Sequence, residues 1–220
     1  MNPKNCFRHQ RELLRFLLLK TAVVRSGVKP GELLQLRRCP GGRLQEAREA
    51  QDDPCRLDPA SLQVAMKLDF CELRAEGKQS LVLFYHPQAM ARALANRAGR
   101  ALLHQCGYPA DGDTAALLAH LRQRFRSEKM PHEVGIFLGY PAKDVAGFIA
   151  RKPRTPVPRA RWAVYGSAAE SLRRMNRHRR AETAAAELFD RCGTVQNFIH
   201  RFAGGALPAE LHPAALRTTA

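Results

Sequence analysis

Two apolar runs between Leu68 and His86 constrain this chain's fold more than any other feature. Leu68–Arg74 and Ser80–His86 are rich in Leu, Val, Phe and Tyr and flank AEGKQ, whose central glycine suits a tight turn. They predict a β-hairpin. Within the second run, LVLFY at Leu81–Tyr85 is almost continuously apolar, so it needs cover on both faces and belongs at the centre of a sheet. Most of the remaining chain alternates at helical spacing. The predicted fold class is therefore α+β: a small, mostly antiparallel sheet, built from the hairpin at about 68–86 and a strand at Trp162–Tyr165 (WAVY), packed with several helices.

The helices follow from apolar spacing and punctuation. Leu13, Leu14, Leu17 and Leu18, continued by Thr21–Val24, predict an amphipathic helix over Arg8–Ser26, closed by Gly27. Val28–Arg38 then reads as a Lys-Pro-Gly turn entering a short strand or helical turn, broken by CPGG at Cys39–Gly42. Gly41–Asp58 is polar and predicts a surface connection. Pro87 suits a first helical position, with Met90, Leu94, Ala98, Ala101, Leu102 and Cys106 following and Gly107 closing that helix. Asp113 is the N-cap for a helix whose stripe is Leu117, Leu118, Leu121 and Phe125.

Arg151–Arg161 (RKPRTPVPRAR) holds three prolines and five basic residues, so it predicts an extended surface connector. Ser167–Cys192 reads as one long or two short helices, and Val195–Phe202 as a last one. Residues 1–203 form one α+β domain on this reading, and 204–220, with Pro208 and Pro213, a poorly ordered tail.

Charge narrows the partners. The chain of 220 residues carries a formal net charge of +16, and residues 151–180 contribute ten Lys/Arg against one acid, Glu170. Net +9 therefore sits in 30 residues. Arg173, Arg174, Arg177, Arg179 and Arg180 form the densest stretch, a sequence-independent footprint for nucleic acid or another polyanion without a base-reading element. The bland alternative is compositional bias and a solvated arginine face. The six cysteines show no C-x-x-C pair or zinc spacing, which fits a reducing, cytoplasmic setting. The only N-terminal apolar run, Phe16–Leu19, is too short and too closely followed by charge for a membrane span.

Standard catalytic templates fail. His132-Glu133 opens like a zinc-binding H-E-x-x-H, but Ile136 stands where the second histidine belongs. Gly77-Lys78-Gln79-Ser80 mimics the end of a phosphate loop, yet Glu72 stands at the earlier glycine position. Pro131–Ile149 (PHEVGIFLGYPAKDVAGFI) survives these tests. Pro131 opens a short helix, Gly139 ends it and Pro141 opens the next, whose buried stripe is Val145, Phe148 and Ile149. Two helix ends brought together offer unsatisfied backbone groups to a ligand or a neighbouring element.

This segment, with WAVYG at Trp162–Gly166, GVKPGEL at Gly27–Leu33 and the LVLFY strand, resembles the bacterial family known as domain of unknown function 3793, over roughly Leu13–Gly166. The resemblance implies a single-domain protein and supplies no catalytic residues. This chain departs from the family pattern at Thr21–Val24, where members usually carry a Cys/Ala-Pro element, and at Ala163, where they usually carry lysine.

Three functional readings remain, and the residues do not decide whether the protein is an enzyme or which cofactor it takes. The first is a module that binds a small molecule or a protein through His132, Glu133, Tyr140 and Asp144, with Trp162, Tyr165 and Lys29 nearby. The second is an enzyme or a metal- or haem-handling protein that uses His132 and Glu133 as acid-base groups or ligands. The third is nonspecific polyanion binding through residues 151–180. Each residue also has a structural reading: His132 and Glu133 at a helix start, Asp144 in the first turn of the next, and Tyr140, Trp162 and Tyr165 in the core with satisfied polar tips.

Overall fold

The computed structural model describes residues 10–37, 67–77, 79–128, 130–203 and 209–212. A three-stranded antiparallel sheet sits at its centre, with β1 at Gly31–Arg37, β2 at Asp69–Glu76 and β3 at Gln79–Tyr85. The strand order is β1-β3-β2. The predicted hairpin is present, and its register sets Phe70 opposite Phe84 and Cys71 opposite Leu83. LVLFY is the central strand: Val82, Leu83 and Phe84 are all fully buried.

Helices cover both faces. On one side, α1 (Gln10–Arg25), α7 (Ala169–Cys192) and α8 (Val195–Ala203) pack over Leu34, Leu36, Val82 and Phe84. On the other lie α2 (Pro87–Leu94), α3 (Arg97–Gln105), α4 (Thr114–Ser127), α5 (Val134–Phe137) and α6 (Ala142–Ile149), packed over Leu73 and Leu83. Alternate residues of β3 thus feed two separate apolar clusters, which is the physical content of a strand buried on both faces.

The α+β class is as expected, but its third strand is not. Trp162–Tyr165 carries no strand; β1, from the Lys-Pro-Gly turn, fills that place. Side chains bond the Tyr165 backbone instead: its N–H donates to the Asp144 carboxylate at 2.9 Å and its carbonyl accepts from Lys143 at 2.9 Å. The Val164 carbonyl accepts from another backbone group, the Thr155 N–H, at 2.8 Å.

Two helical expectations change as well. The helix predicted from Pro87 to Cys106 is two helices, because the Asn96 side chain caps α3 by accepting from the Gly99 N–H at 3.2 Å. In α6, Phe148 and Ile149 are exposed, while Asp144, Val145 and Gly147 form the buried face. The Asp113 cap is present, accepting from Ala116 N–H at 2.8 Å, and Ser167–Cys192 yields the single helix α7 from Ala169. The connector Arg151–Arg161 is free of helix and strand. The expected surface connection at Gly41–Asp58 lies outside the described residues, as does most of the tail. Within that tail Ala209–Leu211 forms a 3-10 turn, and Leu211 is fully buried against the α1/α7 cluster.

Candidate functional site: an arginine-lined groove

The break between α5 and α6 owes its shape to glycine. Gly139 has φ +79°, and a Cβ there would lie 2.6 Å from Pro30 Cδ. Only a residue without a side chain lets the α5–α6 break close onto the Lys-Pro-Gly turn. Gly147 serves the same purpose within α6, where a Cβ would fall 2.3 Å from Tyr165 Cγ. The segments singled out in the sequence are therefore packed directly on one another.

Asp144 ties the second contact. Its buried carboxylate accepts from Lys143 Nζ at 2.7 Å and Tyr165 N–H at 2.9 Å on Oδ1, and from Trp162 Nε1 at 2.8 Å and Ser171 Oγ at 2.6 Å on Oδ2. Burial alone would raise its pKa, but the hydrogen bonds from Lys143, Ser171, Tyr165 and Trp162 outweigh it and hold the carboxyl below its ordinary value. Lys143 also donates to Ser171 Oγ at 2.8 Å. This serine–lysine pair is not arranged as a nucleophile and its base, since Ser171 is fully buried and its proton is committed to Asp144.

Glu133 forms a separate buried knot. It accepts from Arg124 Nε at 2.9 Å and from Tyr108 O–H at 3.2 Å, and Tyr108 in turn packs on His120. His132, its neighbour in sequence, is exposed and stands edge-on to Phe148 with centroids 4.8 Å apart. The two residues that suggested acid-base chemistry therefore have separate surroundings. Lys29 pairs with Glu32.

Tyr140 stacks on Trp162, with centroids 4.5 Å apart and planes 18° apart, and Trp162 leans on His178 at 5.9 Å. Burial, reinforced by Lys29, Arg161 and Arg177, pushes the His178 pKa down to about 3, so the imidazole is neutral at pH 7.

Beside this stack opens a groove of about 690 Å³. Its floor includes Val28, Pro30, Ile136, Gly139 and Tyr140, so both the Lys-Pro-Gly turn and the α5–α6 break contribute to it. Arg173, Arg174, Arg177 and Arg180 of α7 line it, and Arg92 joins them from α2. Glu170 is the one carboxylate in this lining, and it binds Arg174 at 2.9 Å while Arg174 also donates to the Gly139 carbonyl at 2.9 Å. Five guanidinium groups against one acid make the groove strongly positive.

Of the predicted residues, Tyr140, Arg173, Arg174, Arg177 and Arg180 meet in this groove. Arg179 does not; it points along its own helix to Asn176 at 2.9 Å. His132, Glu133, Asp144, Tyr165, Trp162 and Lys29 are not among its lining residues, although Trp162 backs Tyr140. Sequence reasoning missed Arg92 on α2, Asn96 at the α3 N-cap and His178 on α7, which carry no local motif and reach the groove only through tertiary packing. Among the described residues no group of three or more His, Cys, Asp or Glu side chains is placed to hold a metal ion. The groove's charged donors are guanidinium groups, which take anions.

The fold and this groove define an α+β protein with a concave, basic site between the α1–β1 turn, the α5–α6 break and α7. The chain belongs to the family described as protein of unknown function (DUF3793), whose model matches residues 17–199 and so extends through α7 beyond the expected Gly166 limit. No curated protein and no solved structure matches the chain. Among the described residues no helix is long and apolar enough to cross a membrane.

Proposed function

We propose that this protein is a binding module for a small anionic ligand, held in the groove by Arg92, Arg173, Arg177 and Arg180 over a floor that includes Tyr140. The observation that carries this reading is the concentration of five arginines and one carboxylate around a single concavity. Guanidinium groups suit phosphate and carboxylate because they present paired donors in a fixed plane. A concave site of about 690 Å³ has the size of a small-molecule pocket, whereas a nucleic-acid duplex is held by phosphate contacts spread over a longer surface. The free thiols of Cys71, Cys106 and Cys192 support a reducing, cytosolic setting.

The test is calorimetric titration of the full chain with pyrophosphate at low and moderate salt. Binding is expected to weaken with salt and to fall at least tenfold in an Arg173→Gln/Arg177→Gln/Arg180→Gln variant. An Arg151→Gln/Lys152→Gln/Arg154→Gln variant should bind as the parent does. Equal losses in both variants would mean diffuse charge rather than a site.

A further inference from the structure

The arrangement of the arginines carries information beyond their number. Arg173, Arg177 and Arg180 stand at i, i+4 and i+7 of α7 and all line the groove. They form one stripe that runs about 10 Å along the helix axis. Guanidinium groups spaced over that length suit charge distributed along a chain, each pairing with a different anionic group. Arg92 adds a fourth cation from α2, with its Nη2 3.8 Å from where a Gly27 Cβ would sit.

The groove's lining is not all basic. Arg174 anchors α7 to the Gly139 carbonyl of the α5–α6 break, and Val28, Pro30, Ile136 and the half-buried Tyr140 line the groove as well. Tyr140 is braced from behind by Trp162, which is itself fixed by its hydrogen bond to Asp144. A braced aromatic ring beside apolar side chains is a platform for a flat ring, and base–aromatic stacking of this kind tolerates any base.

Resting on the anion-binding reading above, we propose that the groove takes an organic polyphosphate of the nucleoside di- or triphosphate class, its phosphate chain along Arg173, Arg177 and Arg180 and its flat ring toward Tyr140. The ligand's charge lies along the stripe and its apolar moiety on the floor, so each half of the groove meets complementary chemistry.

The test is a ligand series on the full-length parent chain, in magnesium-free buffer at fixed salt: inorganic phosphate, tripolyphosphate, ATP, GTP and adenosine. Tripolyphosphate is expected to bind at least tenfold tighter than phosphate. ATP and GTP should each bind about fivefold or more tighter than tripolyphosphate, the gain that one stacking contact supplies. Adenosine alone should bind weakest. Phosphate as tight as tripolyphosphate would overturn the chain-along-the-stripe arrangement, and nucleotides no tighter than tripolyphosphate would overturn the ring platform. Both results leave the anion groove standing. Absence of binding by every anion overturns the groove as well, and a short single-stranded oligonucleotide that binds a hundredfold tighter than ATP would replace the small ligand with nucleic acid.

Discussion

At the scale of single residues, the least replaceable group is the Asp144 carboxylate, because four donors from three segments converge on it. Asp144→Asn keeps the shape but turns one acceptor into a donor facing other donors, and leaves Lys143 without its counter-charge. The expected cost is about 3 kcal/mol, within the range for breaking a buried pair, read as a lowered urea midpoint. The carboxyl's folded pKa lies below its unfolded value. Its contribution is therefore complete above the ordinary carboxylate range and is lost as pH falls through the depressed folded value. His178 acts over a different window. Its folded pKa is pushed to about 3, so between about pH 6.5 and 3 the unfolded chain binds a proton that the folded one refuses. Stability should fall as pH drops through that range, and His178→Gln should flatten the slope of unfolding midpoint against pH. An unchanged slope would contradict a buried neutral imidazole.

At the scale of elements, the glycines at 139 and 147 act as contact points between segments. Gly139→Ala combines a left-handed backbone with a Cβ 2.6 Å from Pro30, and Gly147→Ala drives a methyl into the Tyr165 ring at 2.3 Å. Each should lower stability by about 2 kcal/mol or more in chemical denaturation. Gly77→Ala is the control: its φ of +54° carries the backbone strain, with nothing within 4 Å of the added methyl, so it should cost less. Much of this level was legible in the sequence, since glycine and proline punctuate helices locally and the Asp113 cap and the α5–α6 break follow from that chemistry. Two of the errors share one source. WAVY has strand composition and Phe148 and Ile149 have core composition, but the Asp144 carboxylate draws both segments to itself. The carboxylate accepts from the Tyr165 N–H, its donor Lys143 bonds the Tyr165 carbonyl, and α6 presents Asp144, Val145 and Gly147 as its buried face. Long-range side-chain bonds of that kind leave no periodic trace.

At the scale of the whole molecule, the sheet separates two apolar clusters, one under α1, α7 and α8 and the other under α2 to α6. The groove draws its lining from both halves, with α7 from one and Arg92 of α2 from the other. The basic segment and the helix-break-helix motif read as separate candidates, although they are neighbours along the chain, and folding sets both around one concavity. The charge excess was plain in the sequence; its concave arrangement was not, because it depends on α2, α5 and α7 together. The most direct measurement is hydrogen–deuterium exchange of the full chain with and without tripolyphosphate. Slowed exchange is expected together in peptides covering residues 26–30, 136–142 and 170–180, with residues 151–161 unchanged. Protection confined to 151–161, or no protection anywhere, would contradict an anion site in this groove.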